Sequence, residues 1–339
     1  MLIKLSNGLN TMKKVVFLKD EKKLKQSFEI FDIKNFSNHK VPVKLNMGEI
    51  RNKYFPKPDF VKKIIFILKE YRSFPYLFDT TVAYKGPRYF SIGYKALAKI
   101  HGFTKNETGA EVLIDDKGIK VNIEQIDFEV ANHIYESSHI FTLSHVKGHD
   151  AVGFGGAIKN LGMGGVTKKT KINMHNGSKP IFKEDKCVFC GVCENVCPCR
   201  AIIVKNDIWK INNKKCFGCG VCVDNCKKDA LTYKENDLQY VLACSAKACT
   251  KDKKVIYLNE LRRITRLCDC NPRSNEIICP DIGLLVSDDP VAIDKASIDL
   301  VYEIKKDVFK KFNHVDPNKQ IRYGEKIGLG SSKYKLIEI

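Results

Sequence analysis

Residues 187–226 carry eight cysteines in two runs of one spacing. Cys187, Cys190, Cys193 and Cys197 read C-x2-C-x2-C-x3-C, followed by Pro198. Cys216, Cys219, Cys222 and Cys226 repeat the pattern, with Lys227 where the proline stood. Each cysteine lies 29 residues from its counterpart, and Gly191/Gly220, Val192/Val221 and Ala201/Ala230 keep the same offset, so the stretch is an internal duplication. Three thiolates at i, i+3 and i+6 on a tight loop can face three corners of a cubane, while the fourth, at the start of the next turn, points to the other cluster. The spacing therefore predicts two 4Fe–4S clusters. One falls to Cys187, Cys190, Cys193 and Cys226, the other to Cys216, Cys219, Cys222 and Cys197. Cys199 is left over. Gly191 and Gly220 suit loops whose backbone must come close to inorganic sulfur and donate hydrogen bonds to it. Two zinc sites or a disulfide framework are the alternatives; zinc sites tend to space their ligands in pairs, and disulfide frameworks belong to secreted chains.

A second place for chemistry is SHIFTLSHVKGHDAVGFGGAIKNLGMGG, residues 138–165. HIFTLSHV has the pattern of a buried strand, and a run of glycines leads from it into a helix containing Ala157, Ile158 and Leu161. A glycine-rich turn between a strand's end and a helix's start presents free N–H groups and a positive dipole end. Gly153, Gly155 and Gly156 are thus expected to hold a cofactor or anion. Neither nucleotide fingerprint is met: Phe154 stands where a Walker lysine belongs, and Ile158 replaces the third glycine of G-x-G-x-x-G. His145, Lys147 and His149 surround the turn and share a face if the strand runs through residue 149. They are the candidate catalytic residues, with Lys147 as the point charge and a histidine as proton donor; Asp79 or Asp269 could orient a histidine.

Five further cysteines follow: Cys244, Cys249, Cys268, Cys270 and Cys279. The triplet at 268–270 puts two thiols to one side of a carboxylate, Asp269. Cys268 and Cys270 could hold an additional metal, although no C-x2-C pair supports it; otherwise these residues are small buried hydrophobes.

Elements to position these groups are legible along the chain. Residues 15–19, 41–47 and 75–84 read as strands, and Pro56 and Pro58 introduce a helix over 59–71 with Phe60, Ile64, Ile65 and Leu68 on one stripe. Residues 91–101 read as helix, 111–115 and 120–124 as extended, and 128–136 as a short helix. Near the C-terminus a strand leads to Asp289 as N-cap and Pro290 at the first helical position, with a helix reaching about residue 312. The closing residues read as a strand. Strands alternating with helices predict an α/β fold with a mostly parallel sheet.

Composition narrows the class. With 339 residues and 44% hydrophobic content, the chain can bury a sizeable core. The longest purely apolar run, IIFIL at 64–68, is far short of a membrane span, and no secretory leader is visible. MKKVVFLK at 12–19 reads as a natural start, which makes residues 1–11 an extension. Fourteen cysteines in such a chain point to metal ligation in a reducing, cytoplasmic setting. The formal charge is +19, yet only nine of the 58 basic residues are arginine and the lysines are spread throughout. That pattern disfavours nucleic acid as partner and leaves acidic partners open, a separate electron-carrier protein among them.

Residues 181–235 resemble bacterial-type two-cluster ferredoxins. SHVKGHDAVGFGGAIKNLGMGG, the CDC triplet, DIGLLVSDDPVAIDKAS and the closing GLGSSKYKLIEI together resemble the iron–sulfur branch of the family called domain of unknown function 362, from about residue 41 onward. The resemblance implies 4Fe–4S binding without an established reaction. It also implies that the ferredoxin-like unit is a small α+β insertion, so that residues 1–180 and 236–339 build one α/β domain. A remoter similarity to the nickel-pincer lactate racemase superfamily would make the basic turn a cofactor site. Three functions follow as expectations. The first is an oxidoreductase passing single electrons to a substrate or cofactor at the 144–165 turn. The second is a ferredoxin-type module without its own substrate, and the third a metal-handling or maturation factor.

Overall fold

The computed structural model describes residues 12–272 and 276–339; the expected extension at 1–11 lies outside them. The core is an eight-stranded sheet with helices on both faces. In chain order its elements are β1 (Lys13–Leu18), β2 (Lys40–Lys44), α1 (Pro58–Glu70), β3 (Phe74–Thr80), α2 (Ser91–Ile100), β4 (Val112–Asp115) and β5 (His139–His145). Then come α3 (Ala157–Gly164), α4 (Lys168–Gly177), α5 (Leu238–Thr250), β6 (Lys254–Leu261), β7 (Gly283–Ser287), α6 (Pro290–Ile304) and β8 (Tyr334–Glu338). The spatial order is β8-β1-β7-β6-β5-β2-β3-β4. All neighbours run parallel except the two pairs made by β7, which lies antiparallel to β1 and to β6.

Local sequence explains these elements. Every residue of β5 is buried, as a strand covered on both faces requires. Ile140 faces one core while Phe141 and Leu143 face the other, so alternate side chains serve the two helical layers. One layer is α1 and α2, whose Phe60, Ile64, Ile65, Leu68 and Tyr94 pack on Val43, Phe141 and Leu258. The other contains α3, α5 and α6. Pro58 opens α1, and Asp289 caps α6 by accepting from the amides of Val291 and Ala292 at 2.9 Å.

Three local expectations need correction. Residues 126–131, expected to begin a helix at 128, are a strand paired with 118–123, and only 132–135 are helical. The last long helix stops at Ile304, and a separate one covers Val308–Asn313 after Asp307 turns to φ 58°. The strand does not continue through residue 149. It ends at His145, and 147–149 form a short hairpin with 153–155.

Strands from both ends of the chain share the sheet, because β6, β7 and β8 come after residue 236. A chain ending at residue 235 is expected to melt without a cooperative transition, since β5 would lose β6, its partner over seven residues. A sharp thermal transition in that truncated chain would contradict this account. Between α4 and α5 the cysteine-rich segment forms a separate small unit. It is closed by pairing of 180–182 with 231–233, and contains a second hairpin, 202–205 with 208–211, and two one-turn helices.

Candidate functional site

The connections β2–β3–β4 build outward on one side, and β5–β6 build outward on the other. Between β2 and β5 the sheet therefore has a switch point, and the C-terminal ends of its strands open there onto a crevice. A cavity of about 820 Å³ occupies this position. Lys44 ends β2, Asp79 and Thr80 end β3, and α3 supplies Lys159 and Asn160. Arg88, Lys171 and His175 add to its wall, and Cys268, Cys270 and His149 line another part. Cys216 and Phe217, from the second cysteine run, line it too.

At the strand ends Asp79 is surrounded by cations. Lys44 Nζ lies 2.9 Å from Oδ1, Arg88 Nη2 lies 3.3 Å from Oδ2, and the Tyr94 hydroxyl donates to Oδ2. Burial alone would push the Asp79 carboxyl up, but Lys44, Arg88 and Lys171 overcome it and hold it below the usual carboxylate range. Lys44 is also held by Asn160 Oδ1 at 2.8 Å. Arg88 is 3% exposed, and its Nε and Nη1 have no hydrogen-bond partner among the described residues. Such a guanidinium is costly to bury unless an oxyanion completes it. Lys171 donates to Thr80 Oγ1 and the Thr81 carbonyl. Burial pushes Lys171 down to about 7, with Lys44 and Arg88 adding to the effect and Asp79 opposing it, so it exchanges a proton near neutral pH. Glu49 is the nearby counter-anion, engaged by the Ile50 amide and the Tyr84 hydroxyl.

His145, Lys147 and His149 converge on the CDC triplet, but they do not share the cavity. His145 Nδ1 lies 2.8 Å from Asp269 Oδ1, and its Nε2 lies 2.9 Å from the Arg262 carbonyl and 3.2 Å from that of Arg263. Both ring nitrogens thus face oxygen atoms, a carboxylate on one side and backbone carbonyls on the other. Lys147 Nζ pairs with Asp269 Oδ2 at 2.9 Å. Burial would push Asp269 up, yet His145 and Lys147 hold it below the usual range. These two residues therefore anchor Asp269 beneath the site, and only His149 among the three lines the cavity.

The glycine-rich turn also differs from expectation. The N-terminus of α3 does meet an anion, but it is the chain's own Asp294, which accepts from the amides of Ala157 at 2.7 Å and Ile158 at 2.9 Å. A Cβ on Gly156 would lie 2.2 Å from that carboxylate. A Cβ on Gly153, at φ +74°, would press on the Val315 carbonyl at 2.9 Å, and one on Gly155 would meet the Lys147 and Lys159 side chains. Internal packing thus requires glycine at 153 and 156, while 155 has room for a Cβ, and none of the three lines the cavity. Asp294 sits 137 residues from the amide it caps, beyond the reach of local pattern reading.

Among the eight clustered cysteines, Gly191 and Gly220 take φ 72° and 74° at equivalent places in the two loops. The first loop faces outward: Val188 is 58% exposed and Cys190 is exposed. The second is held inward, because His175 Nδ1 lies 3.2 Å from the Gly218 carbonyl and a Cβ on Gly218 would meet the His175 carbonyl at 1.8 Å. Burial pushes His175 down to about 4, which keeps its ring neutral. Backbone amides point at cysteine sulfur, Ala201 to Cys197 Sγ at 3.3 Å and Phe189 to Cys187 Sγ at 3.4 Å. Cys197 lies near Cys219 and Cys222, and Cys193 lies near Cys187, Cys190 and also Cys222.

The five later cysteines divide. Cys244, Cys249 and Cys279 are buried, and burial pushes the thiols of Cys244 and Cys249 up to about 11 and about 12, as inert core residues show. Cys268 and Cys270 instead stand with His149. Among the described residues these are the only three ligand-bearing side chains whose donor atoms lie within 4.8 Å of one another, a possible metal site. Sequence reading paired the two thiols but missed His149 as their companion. It also missed Lys44, Arg88, Lys159 and Lys171, for which the one local signal is a lysine inside the apolar strand VPVKL.

No helix among the described residues is long and apolar enough to cross a membrane. No curated protein matches the chain. Among solved structures, a lactate racemase apoprotein from Thermoanaerobacterium thermosaccharolyticum aligns with a TM-score of 0.36 and 10% identity, over 74% of this chain and 51% of that one. A protein from Thermotoga maritima aligns with a TM-score of 0.41 and 9% identity, over 90% and 59%. This chain thus spans little more than half the length of either. The family model described as Domain of unknown function (DUF362) matches residues 41–299, from β2 through most of α6, and the chain belongs to that family.

Proposed function

We propose that the protein is an oxidoreductase of the iron–sulfur branch of this family. In this reading residues 181–235 are an inserted two-cluster ferredoxin-like unit, flanked by the two parts, 1–180 and 236–339, of one α/β domain. The observation that carries the reading is that Cys216 and Phe217 of the second cysteine loop line the same cavity as Asp79, Arg88 and Lys171. The residues fit 4Fe–4S groups better than zinc. Tetrahedral zinc would draw four sulfurs to about 3.8 Å of one another, whereas no three of these eight cysteines bring their sulfurs within 4.8 Å. Amide donors to sulfur and left-handed glycines in both loops support the same assignment. Cys187, Cys190, Cys193 and Cys226 would hold one cluster, and Cys216, Cys219, Cys222 and Cys197 the other. Such clusters, when bound, supply electrons one at a time at low potential.

Reducing a carbonyl or an activated double bond consumes two electrons and two protons. The electrons are attributed to a soluble donor protein at the exposed first loop, and the exposed Lys186, Lys205, Lys214 and Lys227 of the same small unit suit an acidic partner in the cytoplasm. Lys171, which burial pushes down to about 7, would give one of the two protons from the cavity wall, and solvent would supply the other. The substrate is assigned to this cavity, which His149, Lys159 and Asn160 of the 144–165 segment help to line, and not to the helix end of that segment, which Asp294 fills. An anionic group on the substrate would complete the unpaired side of Arg88.

The test is anaerobic reconstitution, chemical reduction and mixing with a panel of anionic α-keto acids and enoates. The expected result is about eight iron and eight sulfide per chain, and reoxidation by one compound class that Lys171→Met slows about tenfold or more at unchanged iron content. Reconstitution giving zinc alone would overturn the cluster assignment. Reoxidation by a carrier protein but by no small molecule would favour a substrate-free electron carrier.

A further inference from the structure

The CDC triplet is placed with more care than two chance cysteines would need. It is a tight turn in which the Cys270 amide points at Cys268 Sγ at 3.4 Å and the Asn271 amide donates to the Cys268 carbonyl at 2.8 Å. Its middle residue, Asp269, is fully buried and clamped from beneath by His145 and Lys147. Its carbonyl takes the Glu49 amide at 3.0 Å. Anchoring of the middle residue leaves the flanking thiols on the cavity side, where both line the wall beside His149. His149 Nδ1 has the Ala151 amide at 3.1 Å and Asp150 Oδ1 at 3.4 Å, which leaves Nε2 for the thiols. Lys159 Nζ, 3.5 Å from Cys268 Sγ, offsets thiolate charge at the same place.

We propose that His149, Cys268 and Cys270 form a mononuclear site for a borderline-soft divalent cation such as zinc, with its fourth position open to the cavity. Two sulfurs and one imidazole are the ligand types that such a cation prefers. A three-residue set facing a cavity is the arrangement of catalytic sites, whereas structural zinc sites are closed by four protein ligands. In the open position the cation would bind and polarise an oxygen of the substrate whose anionic group Arg88 holds. Asp269, His145 and Lys147 are positioning residues in this scheme. They set the direction of the two thiols and touch neither metal nor substrate.

The site is independent of the clusters, so the two readings can fail separately. The full chain, reconstituted with iron and sulfide and then given zinc, should hold about one zinc per chain beyond its iron. Cobalt in place of zinc should give the thiolate charge-transfer and tetrahedral ligand-field bands of a Cys2His site. Cys268→Ser with Cys270→Ser should abolish both signals while iron stays at the wild-type level. His149→Gln should weaken cobalt binding about tenfold or more. A wild-type chain that takes up neither metal after full iron loading would overturn the proposal. So would a cobalt spectrum unchanged in the double variant. If the double variant loses iron as well, His149→Gln decides alone: undiminished cobalt affinity in it would equally overturn the site.

Discussion

Replacing Asp269 by alanine is expected to destabilise the protein by about 3–5 kcal/mol, the cost of breaking a buried pair from one side. The carboxylate is fully buried between His145 and Lys147, whose donor atoms lie 2.8 and 2.9 Å from its two oxygens. Without it Lys147, itself only 6% exposed, loses the carboxylate that lies 2.9 Å from its ammonium. His145 would retain the two carbonyls at Nε2 but lose the carboxylate at Nδ1. The turn carrying Cys268 and Cys270 would lose its anchor at the same time. Asp269→Asn keeps an acceptor for His145 and should cost less, by roughly half. Denaturant midpoints at neutral pH measure both. A loss below about 1 kcal/mol in the alanine variant would show that water replaces the carboxylate, and the clamp would not be what holds the triplet.

The second large effect is on iron content. Under crossed ligation Cys197→Ala and Cys222→Ala damage the same cluster, so the double variant should keep about four irons, as each single variant does. Cys197→Ala combined with Cys190→Ala strikes both clusters and should leave almost none. Uncrossed ligation reverses the two outcomes, which makes iron analysis of the two double variants decisive. Cys199→Ser should retain all of the iron. Its sulfur lies 3.7 Å from Cys197 Sγ, but all eight cluster positions are filled without it. Loss of a cluster in that variant would mean that Cys199 has taken a ligand's place.

Local sequence determined what depends on neighbours along the chain. Pro58 and Pro290 opened helices because a proline costs nothing where the amide has no helical partner, and Asp289 capped one through amides two and three residues away. The cysteine spacing named eight ligand candidates for the same reason, since loop geometry is set over a dozen residues. The alternation of strands and helices was enough to indicate a mostly parallel α/β sheet.

The site was decided by tertiary structure. His145, Lys147 and His149 are alternate residues, yet two of them turn inward to Asp269, more than 120 residues away, and one turns to the cavity. The helix end after the glycines was correctly read as wanting an anion, but Asp294 supplies it from a different helix. Lys44, Asp79, Arg88 and Lys171 come from four separate segments and meet because parallel strands end at one edge beside the switch point. Periodicity reports which side of an element is apolar. It carries no record of which distant charge will neutralise a buried one, because that choice is made by the free energy of packing the whole chain.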